Sequence, residues 1–182
     1  MIPIPVRVAA FVALGLGLGA LAGVVWWAVV DLPAYVVRDD GGAGITERGL
    51  SEFLAGDAWF CVIGLVVGVS VGLVGWRQLR SLGWTLVLLV AAVSVLAALV
   101  CWLVGHQLGP TDFVQRLSAA RPGDAVPIEL TLRAPASLLA WPFLGVIPVL
   151  LGSSLGPDDE EPTPLFKRRE RNGSTVREPE HG

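Results

Sequence analysis

The residues of this chain that could do chemistry are few and scattered. Cys61, Cys101, His106 and His181 are its whole stock of thiol and imidazole groups. They are too few for a disulfide framework or a four-ligand zinc site, and no metal constellation of nitrogen and sulfur donors can be assembled from them. The sequence has no glycine-rich phosphate loop closing in Lys-Ser/Thr, no nucleophile elbow and no HExxH zinc helix. Serines occur, but no histidine or lysine is spaced to activate one. No catalytic residue, metal site or cofactor is therefore expected, and the chain does not read as an enzyme.

Asp57 stands at the edge of an apolar run and admits two readings. In one it is an outward-facing ion or proton site. In the other it is a helix N-cap after Gly56, its carboxylate satisfying free N–H groups at the positive helix end; this second reading is favoured. Cys61 and Cys101 each lie one turn inside a helix from the same face. Equal depth permits a disulfide on an oxidising side, but depth alone does not bring two Cα atoms within ~7 Å, and cysteine serves commonly as a small apolar residue. His106 ends the third apolar run, where it can sense pH or, by the favoured reading, interact with the helix C-terminal carbonyls.

The element that carries Asp57 runs to Trp76, an apolar stretch of about 20 residues with Arg77 just beyond. That is the length a helix needs to cross a ~30 Å hydrocarbon core. Within it Gly64, Gly68 and Gly72 recur every fourth residue, a smooth face that lets another backbone approach closely. Val6–Val30 carries a second such face in Gly15, Gly19 and Gly23. Its Ala20-Leu21-Ala22 resembles a signal cleavage site, but the run outlasts the ~7–15 residues of a signal peptide and reads as an uncleaved helix. The two glycine faces are expected to pack on each other or on copies of themselves. Composition agrees: only 16% of residues are charged, against about 25% in a soluble domain, and the mean hydropathy is +0.66. The expected fold class is an all-α membrane protein with four transmembrane helices, at about 6–30, 57–76, 82–105 and 134–152. They form one domain over 1–152, with a small extracytoplasmic β-containing cap and a disordered cytoplasmic tail over 153–182. Pro142 and Pro148 fall inside the fourth run, where a kink is expected. The seven tryptophans mostly lie near the ends of the runs, as an interfacial belt does.

The connections carry the cap. Residues 34–38 read as a strand, 39–44 as a turn and 45–48 as a returning strand. Leu50, Phe53 and Leu54 suggest a short amphipathic helix before Asp57. Thr111-Asp112 can cap a short helix through Ala120, Arg121-Pro122-Gly123-Asp124 is a turn, and 126–132 alternates like a strand. Pairing across the two connections is the economical arrangement, because an isolated hairpin is marginal.

Four helices put both termini on one side. That side holds Arg7, Arg77, Arg80 and the tail cluster Lys167–Arg171, and the short Arg77/Arg80 turn is the best witness to a cytoplasmic location. The expected localisation is the plasma membrane, multi-pass, with both termini cytoplasmic. Past Ser153 the tail is charged and proline-bearing, a composition of disorder; its basic cluster is within reach of anionic lipid. No nucleic-acid partner is expected, since no aromatic platform accompanies the charge.

Gly56-Asp57-Ala58-Trp59-Phe60 with its glycine continuation, the Pro122-Gly123 turn before Val126–Leu132, and Ala134-Pro135 through Trp141-Pro142 together resemble the DUF2567 family of actinobacterial integral membrane proteins. The similarity spans roughly residues 6–152. It implies a four-helix plasma-membrane protein and transfers no functional residue. The function expected is a non-enzymatic scaffold or accessory subunit of a membrane complex, meeting a membrane-protein partner or its own copies through the glycine faces in the lipid bilayer. The alternative is a small transporter or channel component with Asp57 at its mouth and Pro142 flexing the fourth helix. No small-molecule substrate is identifiable.

Overall fold

The computed structural model describes residues 3–38, 42–45 and 47–155, without the side chains of 43, 45 and 47–53. The expected disordered tail lies outside these from residue 156 on. Among the described residues four helices are long and apolar enough to cross a membrane. They are α1 (Ile4–Val29), α2 (Glu47–Leu79), α3 (Thr85–Leu108) and, beyond the short α4 (Phe113–Ala119), α5 (Ala140–Leu155). The described residues also form three strands: β1 (Ala34–Val37), β2 (Ala43–Ile45) and β3 (Ala125–Pro127).

Several boundaries differ from those expected, each for a local reason. The helix α1 begins before Pro5, because a proline in the first turn lacks only an N–H that would be unpaired anyway. The returning strand is 43–45 rather than 45–48. From Glu47 the backbone is already helical and stays so for 33 residues, about 50 Å. The separate amphipathic helix is therefore the start of α2, and Gly56 alone does not break it. Asp57 consequently lies ten residues inside α2 and does not cap it. A 3-10 turn at Arg80–Leu82, followed by Gly83 at φ +59°, delays α3 to Thr85. A second 3-10 turn at Pro135–Leu139 delays α5 to Ala140. Pro142 thus falls in the first turn of α5, where it breaks no helical bond; only Pro148 is inside the helix.

The sheet order is β2-β1-β3, antiparallel throughout, so both connections contribute strands. Tyr35 pairs with Ile45 on one side and Val126 on the other. Ile128 N–H still donates to the Pro33 carbonyl at 3.0 Å, but Pro33 has no N–H to return the bond, so the ladder stops and the expected strand 126–132 is cut short. At its other end β3 leaves a tight turn in which Asp124 N–H donates to Arg121 O at 3.0 Å. Gly123 there holds φ +93°, the position of a type II turn that suits glycine after proline. The helix α4 lies on this sheet through Tyr35 and Phe113, whose ring centroids are 5.5 Å apart.

The helices associate chiefly as two pairs, α1 with α3 and α2 with α5. Both pairs run parallel: Gly15, Gly19 and Gly23 meet Val93, Ala97 and Cys101 in ascending order, and Gly64 and Gly68 meet Trp141 and Gly145. The partner residue is 78 positions later in the first pair and 77 in the second. The chain is therefore two helical hairpins laid side by side in the same sense. Phe11, Trp26, Phe60, Val71, Val90 and Trp141 fill the space between them, each almost fully buried. One end of the bundle carries the sheet, and the other carries the Arg80–Gly83 turn.

Candidate functional site

The polar side chains gather at the sheet end, around the extended segment 128–134 that leads into the last helix. Asp57 reaches it from α2. Its two carboxylate oxygens accept the backbone N–H groups of Arg133 at 3.2 Å and Ala134 at 2.9 Å. These N–H groups precede the 3-10 turn and α5, where a helix start leaves donors without partners. Asp57 is thus a cap, but for the fourth membrane-length helix rather than for its own. It is part-exposed.

Other helices grip the same segment. His106, within the last turn of α3, lies with Nδ1 3.0 Å from the Leu130 carbonyl, so Nδ1 carries the proton and donates. The expected partner, the end of its own helix, is replaced by this neighbouring extended segment. Trp102 stacks on the imidazole with centroids 6.2 Å apart. Glu129 accepts Phe113 N–H at 3.5 Å, a long bond to the first residue of α4. Asp112, at the N-cap position of α4, makes no side-chain cap. Arg116 donates from Nε to Thr111 O at 2.8 Å and from Nη1 to Pro127 O at 3.0 Å, tying α4 to β3. At the end of α1, Trp26 Nε1 donates to Gly56 O at 2.9 Å. Between α1, α2 and the segment lies a hollow of about 20 Å³, lined by Val30, Pro33, Gly56, Glu129, Leu130 and Arg133; it has room for about one water.

The six glycines singled out from the sequence all face neighbouring helices, but not each other. A methyl at Gly19 would lie 2.5 Å from the Ala97 carbonyl oxygen, one at Gly23 2.7 Å from that of Cys101, and one at Gly68 2.7 Å from that of Trp141. Gly15 takes the Val93 side chain, Gly64 the Trp141 indole, and Gly72 the Gly145 carbonyl and Pro148 ring. The expectation that the faces of α1 and α2 meet, or meet copies of themselves, is overturned: α3 covers one and α5 the other. Gly17, by contrast, has open space where its side chain would be.

The tryptophans divide in a way their spacing did not foretell. Trp27, Trp59 and Trp84 are exposed as a belt requires, while Trp26 and Trp141 are 0% exposed. They sandwich Phe60 with centroid distances of 5.3 Å on each side. The signals that could have found them are Gly105 and Gly64, the notches that receive their rings. Among the described residues three buried polar atoms have no partner: Trp141 Nε1, Ser94 Oγ and Arg116 Nη2. Ser94 faces Gly145 across the α3–α5 contact. Cys61 and Cys101 are free thiols; Cys101 is fully buried, its backbone turned to Gly23 of α1.

Among the described residues no three of the His, Cys, Asp and Glu side chains converge as a metal site would need. The arrangement can hold backbone segments together. No protein-family model, no curated protein and no solved structure matches the chain.

Proposed function

We propose that this chain is a non-enzymatic plasma-membrane protein, a scaffold or accessory subunit of a membrane complex, with both termini cytoplasmic and the sheet outside. One observation carries the reading. The polar side chains at the sheet end, Asp57, His106, Arg116, Glu129 and Trp26, are bonded to backbone groups and so serve to build a rigid platform on four helices. A fixed surface is what a partner needs and what a reacting substrate does not by itself require. The orientation is supported by Arg77 and Arg80 in the short turn, since basic residues of short loops favour the cytoplasm.

The glycine faces cannot supply the partner contact, because they are filled within the chain. Recognition falls instead to the outward surface of the sheet and α4, where Val114 is 79% exposed. The transport alternative has less support. The only fully buried polar side chain within the described spans is Ser94, and a conducting pathway ordinarily keeps ionisable residues facing a cavity.

The test is capture of tagged protein from native membranes in mild detergent, beside the surface variant Val114→Arg. A stoichiometric partner, or a second copy, bound to the wild type and lost from the variant supports the proposal. A monomer in both cases, together with ion flux in reconstituted vesicles that Asp57→Asn removes, overturns it in favour of transport.

A further inference from the structure

Among the described residues the charged side chains lie at the two ends of the bundle, and the ends differ. The sheet end mixes arginines with carboxylates, Asp57, Asp124 and Glu129 among them. The turn end carries Arg7, Arg77 and Arg80 and, among the described residues, no acid. Arg77 and Arg80 are exposed, and Arg7 is half-buried in the first turn of α1. The register of α1 on α3 puts Arg7 level with Thr85, just past the Arg80–Gly83 turn. Arg77 lies in the last turn of α2, so the three stand at nearly one depth. No hydrogen bond or ion pair engages their guanidinium groups among the described residues.

Two of these arginines head apolar stripes. Leu14 and Leu21 follow Arg7 at seven-residue steps, while Leu73 and Val66 precede Arg77 by four and eleven residues, so each set shares one side of its helix. All four apolar side chains are exposed. From Arg77 to Val66 is about 16 Å along the axis, close to half of a ~30 Å hydrocarbon core. Trp84, 75% exposed, follows Arg80 just before α3, and an indole at such a helix end sits at headgroup level. An apolar wall one leaflet deep with a cation at its rim fits a phospholipid standing on end. We infer, on the reading of the four helices as membrane spans, that the turn end selects anionic phospholipid, with headgroup phosphates at Arg7, Arg77 and Arg80 and acyl chains along the stripes. A guanidinium binds a phosphate through paired hydrogen bonds as well as charge. A zwitterionic headgroup brings its own cation to a rim where three like charges already repel one another; a phosphatidylglycerol headgroup brings none.

The test uses the full chain in nanodiscs of equal phosphatidylglycerol and phosphatidylcholine, with the lipids that stay bound counted by native mass spectrometry. The wild type is expected to retain phosphatidylglycerol in clear excess. Each of Arg7→Gln, Arg77→Gln and Arg80→Gln lowers the excess by up to about fivefold, the share of one basic residue at a charged membrane surface. The triple glutamine variant brings the ratio near one, and the triple lysine variant, which keeps the charge, preserves most of it. Arg38→Gln with Arg121→Gln, at the sheet end, leaves it unchanged. Equal ratios for the wild type and the three single glutamine variants overturn the inference, as does a sheet-end variant that loses as much as they do. A chain that never enters the discs overturns the membrane reading itself, which separates that failure from a missing lipid preference.

Discussion

A carboxylate that accepts two backbone N–H groups makes charge-assisted bonds, shorter and stronger than neutral ones, and Asp57 makes them to the residues that open the last helix. Removing a cap costs about 0.5–2 kcal/mol. Asp57→Ala is expected to lower the stability of the detergent-solubilised protein by roughly that amount, read from denaturant or thermal unfolding. Asp57→Asn keeps one acceptor oxygen and should fall between. Equal unfolding of all three proteins would show that the two bonds contribute nothing. Ser94 is the opposite case. Its hydroxyl is buried without a partner, a condition that costs about 1–3 kcal/mol relative to a satisfied group. Ser94→Ala should leave stability unchanged or raise it, whereas a clear loss would mean that the hydroxyl holds a bond through water. The capping chemistry of Asp57 was legible from its type and its glycine neighbour. Its target was not, because that depends on where α2 begins, and α2 begins ten residues early on the strength of its own continuity through Gly56.

Glycine spacing says which side of a helix is smooth, but not what lies on it. The same period occurs in Gly15-Gly19-Gly23 and Gly64-Gly68-Gly72, so pairing them with each other was the simplest inference. The true counterparts are poorly marked in sequence. Ala97 and Cys101 offer only small volume, and Trp141 is a large ring that fits because Gly64 gives it a notch. The contrast with Gly17 makes the packing testable. A methyl at Gly68 meets backbone atoms at 2.7 and 3.2 Å. Backbone cannot rotate away, so Gly68→Ala must push α2 and α5 apart, at a cost of about 1–3 kcal/mol. Gly17→Ala meets nothing and should stabilise by up to about 1 kcal/mol through helix propensity alone. Unfolding titrations on the two single variants measure the difference directly. Equal behaviour would mean that the α2–α5 contact is looser than the geometry requires.

At the scale of the molecule, the constant offsets of 78 and 77 residues mean that hairpin α1–α2 meets hairpin α3–α5 in parallel register along the whole bundle. Counting four apolar runs gave the number of membrane-length helices among the described residues and put the start of α1 and the end of α5 at one end of the bundle. It could not give this arrangement, since hydropathy is all but uniform around each helix and carries no direction. The arrangement implies that the two halves hold together without the Arg80–Gly83 turn. Membrane helices form before they associate, and association then rests on close packing of small residues; here that packing lies mostly between the hairpins, in α1 on α3 and α2 on α5. The segment 128–134 adds cross-hairpin bonds to Asp57 and, through Ile128, to Pro33. Fragments 1–82 and 83–182, co-expressed with a tag on one of them, are therefore expected to copurify in equal amounts from mild detergent. Gly68→Leu in the first fragment should abolish this, because the leucine side chain would occupy the place of the Trp141 carbonyl. Gly17→Leu, on the open face, should not. Fragments that insert but never associate would mean that the turn sets the register of the two hairpins rather than merely joining them.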